Sequence, residues 1–472
     1  MHARIARGGS HLLQARAVFR EVADLDGHGG NAYLDQTHRV TILRAGSILQ
    51  RSAGPHARAR NAPPRDSSTR AIVKQFRGRV RMRQNMQQLG YGIRFIIAAL
   101  ALTSGLLAGA CCELPRPDTP PANLDELVAQ QVGYLVDARK ITGAAVGVVV
   151  DGETHTYFFG ETKLDSGIRP DANTYYEIGS ITKTMTSALL AMALAEEDGL
   201  ILESPVEPLM PAGIPVPASG DRLITVGDLA SHVSSLPRLP DNLQLRPHDP
   251  YADYTLNDLR QFLASYTLPV APGTRYEYSN LGASILGMAL ANRAGVTYAA
   301  LLNDRLLGPL GMSETVLEFT DAQRARLAAP YQARLIEDVC LPPRRGDNWD
   351  LGLFAPAGGV KSTLNDMLKY LAANMTPEGT ALESAAPVLY EHRVAVNAEL
   401  GVALGWHIIN ATDDFPDIVW HNGGTGGYNT FTGFFRGTRT GIVLLTNTAG
   451  SPDTDGAALG VLRGIKSLPT QP

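Results

Sequence analysis

Cysteine is scarce: three in 472 residues, too few for a disulfide-stapled scaffold or a pair of zinc-ligand sets. The apolar run Phe95–Leu107 has 13 residues, short of the ~20 that a helix needs to cross a bilayer. There is no internal repeat, no phosphate-binding Gly-rich loop with its Lys and no His-Glu-x-x-His pair. No serine carries glycine at both −2 and +2, which excludes the strand–turn–helix nucleophile of α/β-hydrolases. The eleven histidines include no closely spaced ligand set, so neither a metal nor a cofactor is expected. With 44% hydrophobic residues, global disorder, collagen and a long coiled coil are excluded as well.

Acidic residues are scarce in one part only. Met1 to Arg94 holds 17 lysines and arginines against 5 aspartates and glutamates, and the remainder holds 25 against 41. Residues 1–81 are Arg-rich without an apolar period and have too little to bury to offset ordering entropy. They read as a disordered basic extension or a mis-called start. Their arginines are scattered with no interleaved aromatic residues, so no nucleic-acid partner is expected. Residues 82–110 read as a signal peptide: Arg83 and Arg94, then the apolar run, then Ala108-Gly109-Ala110. Export to the periplasm or cell envelope is the expectation. Cys111 follows directly, as in a bacterial lipoprotein signal, although Ala108 stands where that signal carries Leu; a lipid anchor at Cys111 is therefore the weaker alternative to simple cleavage. Cys340 has Cys111 and Cys112 as pairing options, or stays a thiol. Residues 111–122 form a Pro-rich linker, and the folded part runs from 123 to 468.

Within it, Leu124 to Arg139 has helical spacing. Gly143–Val150 and Thr154–Phe159 are β-rich runs separated by Asp151-Gly152, a hairpin signal. Thr182–Glu197 reads as a helix ended by Gly199. Helical pieces follow up to about Ala385: Val226–Ser234, Leu256–Ser265, Leu281–Arg293 and Leu364–Ala373. Strands return at Val402–Ile409, Ile418–His421, Thr430–Phe435 and Gly441–Thr446, and Asp455–Leu468 closes as a helix. The predicted class is α+β, an antiparallel sheet built from N- and C-terminal strands, flanked by helices, with a large helical insertion.

Three motifs carry chemistry. Ser180-Ile181-Thr182-Lys183 opens a helix, and a spacing of three puts both side chains on one face. An amine one turn away activates a serine, provided burial or neighbouring charge keeps that amine neutral. With 22 serines and 7 lysines in the chain, the tetrad alone is a weak signal. Tyr278-Ser279-Asn280 precedes a helix; its tyrosine is placed to relay a proton, its asparagine to bind substrate and hold Lys183. His421-Asn422-Gly423-Gly424 ends a strand, where the glycines let substrate lie against the edge. The N–H of Gly424 is then a second oxyanion donor beside that of Ser180.

In this order, with gaps of 98 and 143 residues, the motifs resemble the penicillin-recognising serine hydrolases. That family comprises class C β-lactamases, D-alanyl-D-alanine carboxypeptidases and related serine esterases. Leu229–Pro237 is similar to the family's Leu-Leu-x-His-x-Ser-Gly-Leu-Pro, and Ala357–Thr363 to its Ala-Gly-Gly-x-x-Ser-Thr. The resemblance implies that Ser180 is acylated, Lys183 is its base partner, Tyr278 relays protons, Asn280 positions substrate and His421 is the third-motif residue. Two departures stand out. His421 replaces the lysine of typical class C β-lactamases, and a partly cationic histidine holds a substrate carboxylate less firmly. Ser235 replaces the usual glycine. His155, His232 and His407 read most simply as structural or surface residues.

The expected activity is hydrolysis of a D-Ala-type peptide amide or a β-lactam through an acyl-enzyme on Ser180. Partners are then small-molecule or peptide substrates. A short-chain carboxylesterase and a non-catalytic β-lactam or muropeptide sensor are the alternatives.

Overall fold

The computed structural model describes residues 119–469, apart from 197, 198, 245, 337, 338, 392 and 393. The basic head, the apolar run and Cys111 lie outside the described residues, as does the side chain of Cys340. Thirteen strands are described: β1 (Gly143–Val150), β2 (Glu153–Gly160), β3 (Tyr175–Glu177), β4 (Tyr331–Ile336), β5 (Val339–Arg345), β6 (Lys361–Thr363), β7 (Val394–Ala395), β8 (Leu400–Val402), β9 (His407–Ile409), β10 (Ile418–Gly424), β11 (Asn429–Phe435), β12 (Gly441–Thr446) and β13 (Thr448–Ala449). Among the described residues, the helices of ten residues or more are α1 (Thr182–Leu194), α2 (Leu256–Ser265), α3 (Asn280–Ala294), α4 (Leu364–Met375) and α5 (Thr454–Gly464).

Eight strands form one antiparallel sheet in the order β2-β1-β12-β11-β10-β9-β8-β7. The first and last parts of the described fold meet where β1 pairs with β12, Ala144 opposite Thr446. Asp151 and Gly152 both have positive φ, 51° and 94°, the pattern of a two-residue hairpin turn whose twist matches its strands. Both faces of the sheet are covered. Helix α4 packs on β1, β11 and β12, and α5 packs on β11 and β12 together with the helical turns that follow Leu124. Alternate residues therefore enter two apolar layers: Ala145, Val149, Val443 and Leu445 share the main core, while Val146, Val148, Ile442 and Leu444 are equally buried. This two-sided burial explains why β1 reads as an almost unbroken apolar run. Gly147 is part of the same fit, since a Cβ there would lie 2.7 Å from Leu368 of α4.

Beside the sheet, α1 runs through the middle of the helical region with Thr182 to Ala193 all buried. A helix apolar all round belongs in an interior. Its hydroxyls are satisfied there, Thr186 donating to the carbonyl of Pro356 at 2.7 Å and Thr184 to that of Ile181 at 2.7 Å.

The architecture is the expected α+β arrangement, with local corrections. Helix α1 stops at Leu194, five residues before Gly199, because the chain turns out of the helix at Ala195 and Glu196. The Val226 helix ends at Ala230, since His232 takes φ of 58°. Val402–Ile409 is a hairpin of β8 and β9, turned at Gly405 with φ of 71°. The insertion is not wholly helical: β4 and β5 pair antiparallel within it.

Candidate active site

The Ser180 turn is built where three segments converge. Gly179 adopts φ of 53°, and a Cβ on it would lie 2.7 Å from the backbone nitrogen of Gly424; only glycine meets both demands. The preceding residue, Ile178, donates its N–H to Val360 at 3.0 Å and accepts from the Thr430 hydroxyl at 2.9 Å. A short 3-10 turn, Gly179–Ile181, then hands Ser180 to the start of α1.

Lys183 is 1% exposed. Its Nζ lies 2.8 Å from Ser180 Oγ, donates to the carbonyl of Ala357 at 2.7 Å, and stands 4.9 Å from the centre of the Tyr278 ring. Ser180, Lys183 and Tyr278 are thus one cluster. Tyr278 is buried and held by its neighbours along the chain. The N–H of Glu277 bonds the carbonyl of His232 at 2.7 Å, and the N–H of Ser279 bonds His232 Nδ1 at 3.2 Å. Ser279, not Asn280, caps α3, accepting from Gly282 and donating to the Pro237 carbonyl. That frees Asn280, at the first helical position, to line the cleft above Ser180 with Gly424, Tyr251, Trp349, Leu351 and Phe354.

The glycines of β10 differ in use. A side chain at Gly423 would come within 2.0 Å of the Ile178 carbonyl, whereas Gly424 faces open space, its nearest neighbour 3.9 Å away. Gly423 therefore lets β10 press against the Ser180 turn, and Gly424 lines the cleft. His421 is fully buried and set back from the opening, its ring 6.2 Å from that of Tyr278. Burial, helped by the nearby His407 and Lys183, holds its pKa well below the usual histidine value. The partly cationic histidine expected from sequence is instead a neutral one, because the site removes the water that would solvate its charge.

Two residues read as structural or surface from sequence belong to this wall. The His232 ring is 4.5 Å from that of Tyr278. His407 stacks 6.2 Å from the same ring, 5.0 Å from His421, and bonds Tyr276 through Nε2 at 3.1 Å. His232 is likewise held neutral, chiefly by burial. A signal for His232 was present, since it sits in the Leu229–Pro237 stretch. Nothing local marked His407, which reaches the site through its pairing opposite Trp420. His155 is half-buried on β2. Ser235 adopts φ of 64°, so it occupies a left-handed turn that favours the family's glycine.

An antiparallel sheet made from both chain ends, with a Ser-x-x-Lys turn set against its β10 strand, is the arrangement of a serine hydrolase. The chain belongs to the beta-lactamase family, whose profile matches residues 124–464. It is 28% identical over 351 residues to the D-alanyl-D-alanine-carboxypeptidase/endopeptidase AmpH of Escherichia coli K12, covering 71% of this chain and 85% of that protein. It is 27% identical over 350 residues to penicillin-binding protein 4 of Amycolatopsis lactamdurans, covering 69% and 87%. Among solved structures it is similar to a Yersinia pestis β-lactamase/D-alanine carboxypeptidase complexed with citrate. That match has a TM-score of 0.63 and 26% identity, covering 73% of this chain and 98% of that one. A class C β-lactamase at 22% identity shares the fold with a TM-score of 0.61, covering 75% and 99%.

Proposed function

We propose that this hydrolase forms an acyl-enzyme on Ser180 and cleaves a D-Ala-type peptide amide or a β-lactam. The observation that carries the reading is the 2.8 Å approach of Lys183 Nζ to Ser180 Oγ inside a buried cluster with Tyr278. Lys183 Nζ takes the hydroxyl proton while Ser180 Oγ attacks the substrate carbonyl. The N–H groups of Ser180 and Gly424 receive the oxyanion, each such donor lowering the barrier by about 2.7–4 kcal/mol. Tyr278 passes a proton to the leaving nitrogen, Asn280 orients the acyl group, and water then releases it. The carboxypeptidase name of the AmpH relative supports a D-Ala substrate.

The test is mass spectrometry after exposure to benzylpenicillin. An adduct on Ser180 is expected, absent in Ser180→Ala, and turnover falling ~10²–10⁴-fold in Lys183→Met. An unmodified Ser180 with undiminished turnover in Ser180→Ala rejects the reading. A short-chain carboxylesterase is the second reading, favoured by the neutral, buried state of His421 at the third-motif position. A site without a cation there suits an uncharged ester. Comparing a D-Ala-D-Ala peptide with a short nitrophenyl ester separates the two. We also place the mature chain in the periplasm or envelope, supported by the signal-like run before Cys111; sequencing its N-terminus checks this and the anchor.

A further inference from the structure

Outside the cleft, one surface loop joins exposed apolar side chains to positive charge. Among the described residues, Leu164 and Ile168 are exposed large hydrophobic residues, at 37% and 61%, and stand four positions apart in the loop after β2. Exposed apolar residues scattered singly are ordinary, but these two share one closed turn. The Thr162 N–H bonds the Ile168 carbonyl at 2.8 Å across the base of the loop, and the Ser166 N–H bonds the Lys163 carbonyl at 3.0 Å. The Ala329 N–H holds the Thr162 carbonyl from outside at 2.7 Å.

Lys163 and Arg169 flank the apolar pair and are both exposed. Two more cations reach the loop through Tyr331 of β4. Its hydroxyl accepts from the Leu164 N–H at 2.9 Å, and the Arg345 guanidinium lies 5.2 Å from the centre of its ring. Arg344, next along β5, bonds the neutral amide of Gln332 at 2.6 Å. Both arginines are exposed and are held by a ring face and an amide. They pair with Tyr331 and Gln332, at the end of the hairpin away from Ile336 and Val339, between which the acidic Glu337 and Asp338 fall in sequence. Against these four cations the loop sets Asp165 and Glu161, and the Glu161 carboxylate already accepts from the Ser166 N–H at 3.0 Å.

We propose that this loop and the adjoining arginines of β5 dock on an anionic lipid bilayer. Leu164 and Ile168 enter the boundary between headgroups and acyl chains, and Lys163, Arg169, Arg344 and Arg345 face the lipid phosphates. A loop already closed by its own hydrogen bonds loses little entropy on docking. From residue 95 onward the chain holds 41 acidic residues against 25 basic ones, so the rest of its surface is repelled by such a membrane and the orientation is fixed. Four residues lead from Arg345 to Trp349 of the Ser180 cleft, ~14 Å of chain at most. Docking therefore keeps the cleft close to the membrane plane.

Vesicle co-sedimentation tests this on the exported chain proposed above, residues 111–472, with Cys111→Ser so that no lipid is attached. Vesicles of phosphatidylcholine with about one third phosphatidylglycerol should bind the protein, and phosphatidylcholine alone should not. Raising NaCl from ~50 to ~500 mM should weaken binding about tenfold or more. Leu164→Ser with Ile168→Ser, and separately Arg344→Gln with Arg345→Gln, should each weaken it at least ~fivefold. Both double variants should keep the wild-type unfolding midpoint in urea. A matched pair on α2, Leu256→Ser with Arg260→Gln, removes the same chemistry from another exposed helix and should bind as the wild type does. No binding to the anionic vesicles, or an equal loss in the α2 variant, overturns the proposal. So does binding that survives in the Leu164/Ile168 variant and falls only in the arginine variant, which identifies an anionic polymer as the partner instead of a bilayer.

Discussion

At the scale of single residues, the site encloses two histidines that burial keeps from taking up a proton. His232 and His421 are fully enclosed, and burial holds both well below the ordinary histidine value. In the unfolded chain each titrates near 6.5, so below that pH the unfolded state binds more protons than the folded one. Their contribution to stability is complete above pH ~6.5 and is lost as pH falls from there toward the depressed folded values. The loss runs at up to ~1.4 kcal/mol per pH unit for each histidine. Thermal midpoints measured from pH 7.5 down to 5 should therefore fall less steeply in His421→Leu than in the wild type. Parallel profiles would show that His421 binds protons alike in the folded and unfolded states. Much of the arrangement was legible from sequence: Ser180, Lys183 and Tyr278 cluster, and Asn280 and Gly424 line the same cleft, whereas Gly423 packs against the Ser180 turn. The neutrality of His421 was not, because solvent exclusion is a property of everything packed around the ring.

At the scale of elements, the contact between β10 and the Ser180 turn sets the geometry. Gly423 sits where a methyl group would press on the Ile178 carbonyl at 2.0 Å and the Thr430 hydroxyl at 2.3 Å. Gly423→Ala must push β10 off the turn. We expect kcat/KM to fall at least a hundredfold, with destabilisation of ~1–3 kcal/mol typical of overpacking. Gly424→Ala meets nothing closer than Asn429 Oδ1 at 3.9 Å and should leave the unfolding midpoint in urea nearly unchanged. Equal midpoints and activities in the two variants would mean that the strand and the turn are not in register as described. The elements themselves were mostly readable: the β1–β2 hairpin from Asp151-Gly152, and the helix Leu256–Ser265, whose start the structure fixes with a Thr255–Asp258 capping box. The β4–β5 pair was not, since Pro342 and Pro343 with Arg344 and Arg345 carry none of the usual strand alternation.

At the scale of the molecule, the sheet is closed by residues some three hundred positions apart. Leu127 near the start and Gly464 near the end are close enough that a Cβ on the glycine would lie 2.7 Å from the leucine side chain. The two ends of the hydrolase fold are therefore neighbours, and the exposed turn at Asp151 and Gly152 is a place where the chain tolerates a break. A circular permutant joining residue 468 to 123 through a short Gly/Ser linker, opened between 151 and 152, should be soluble and keep kcat/KM within about tenfold of the parent. An insoluble or inactive permutant, with a soluble parent of the same residues, would contradict the β1–β12 closure.

The sequence alone determined the class of fold and that Ser180 and Lys183 stand one turn apart where a helix begins. These follow from short-range rules: helical spacing of three, strand alternation, and turn residues at the hairpin. Only the tertiary structure decided that His232 and His407 join the site, that His421 is neutral, and that Tyr251 and Trp349 share a wall with Ser180. Each of those facts depends on segments distant in sequence meeting in space and shutting out water, and no local pattern encodes that.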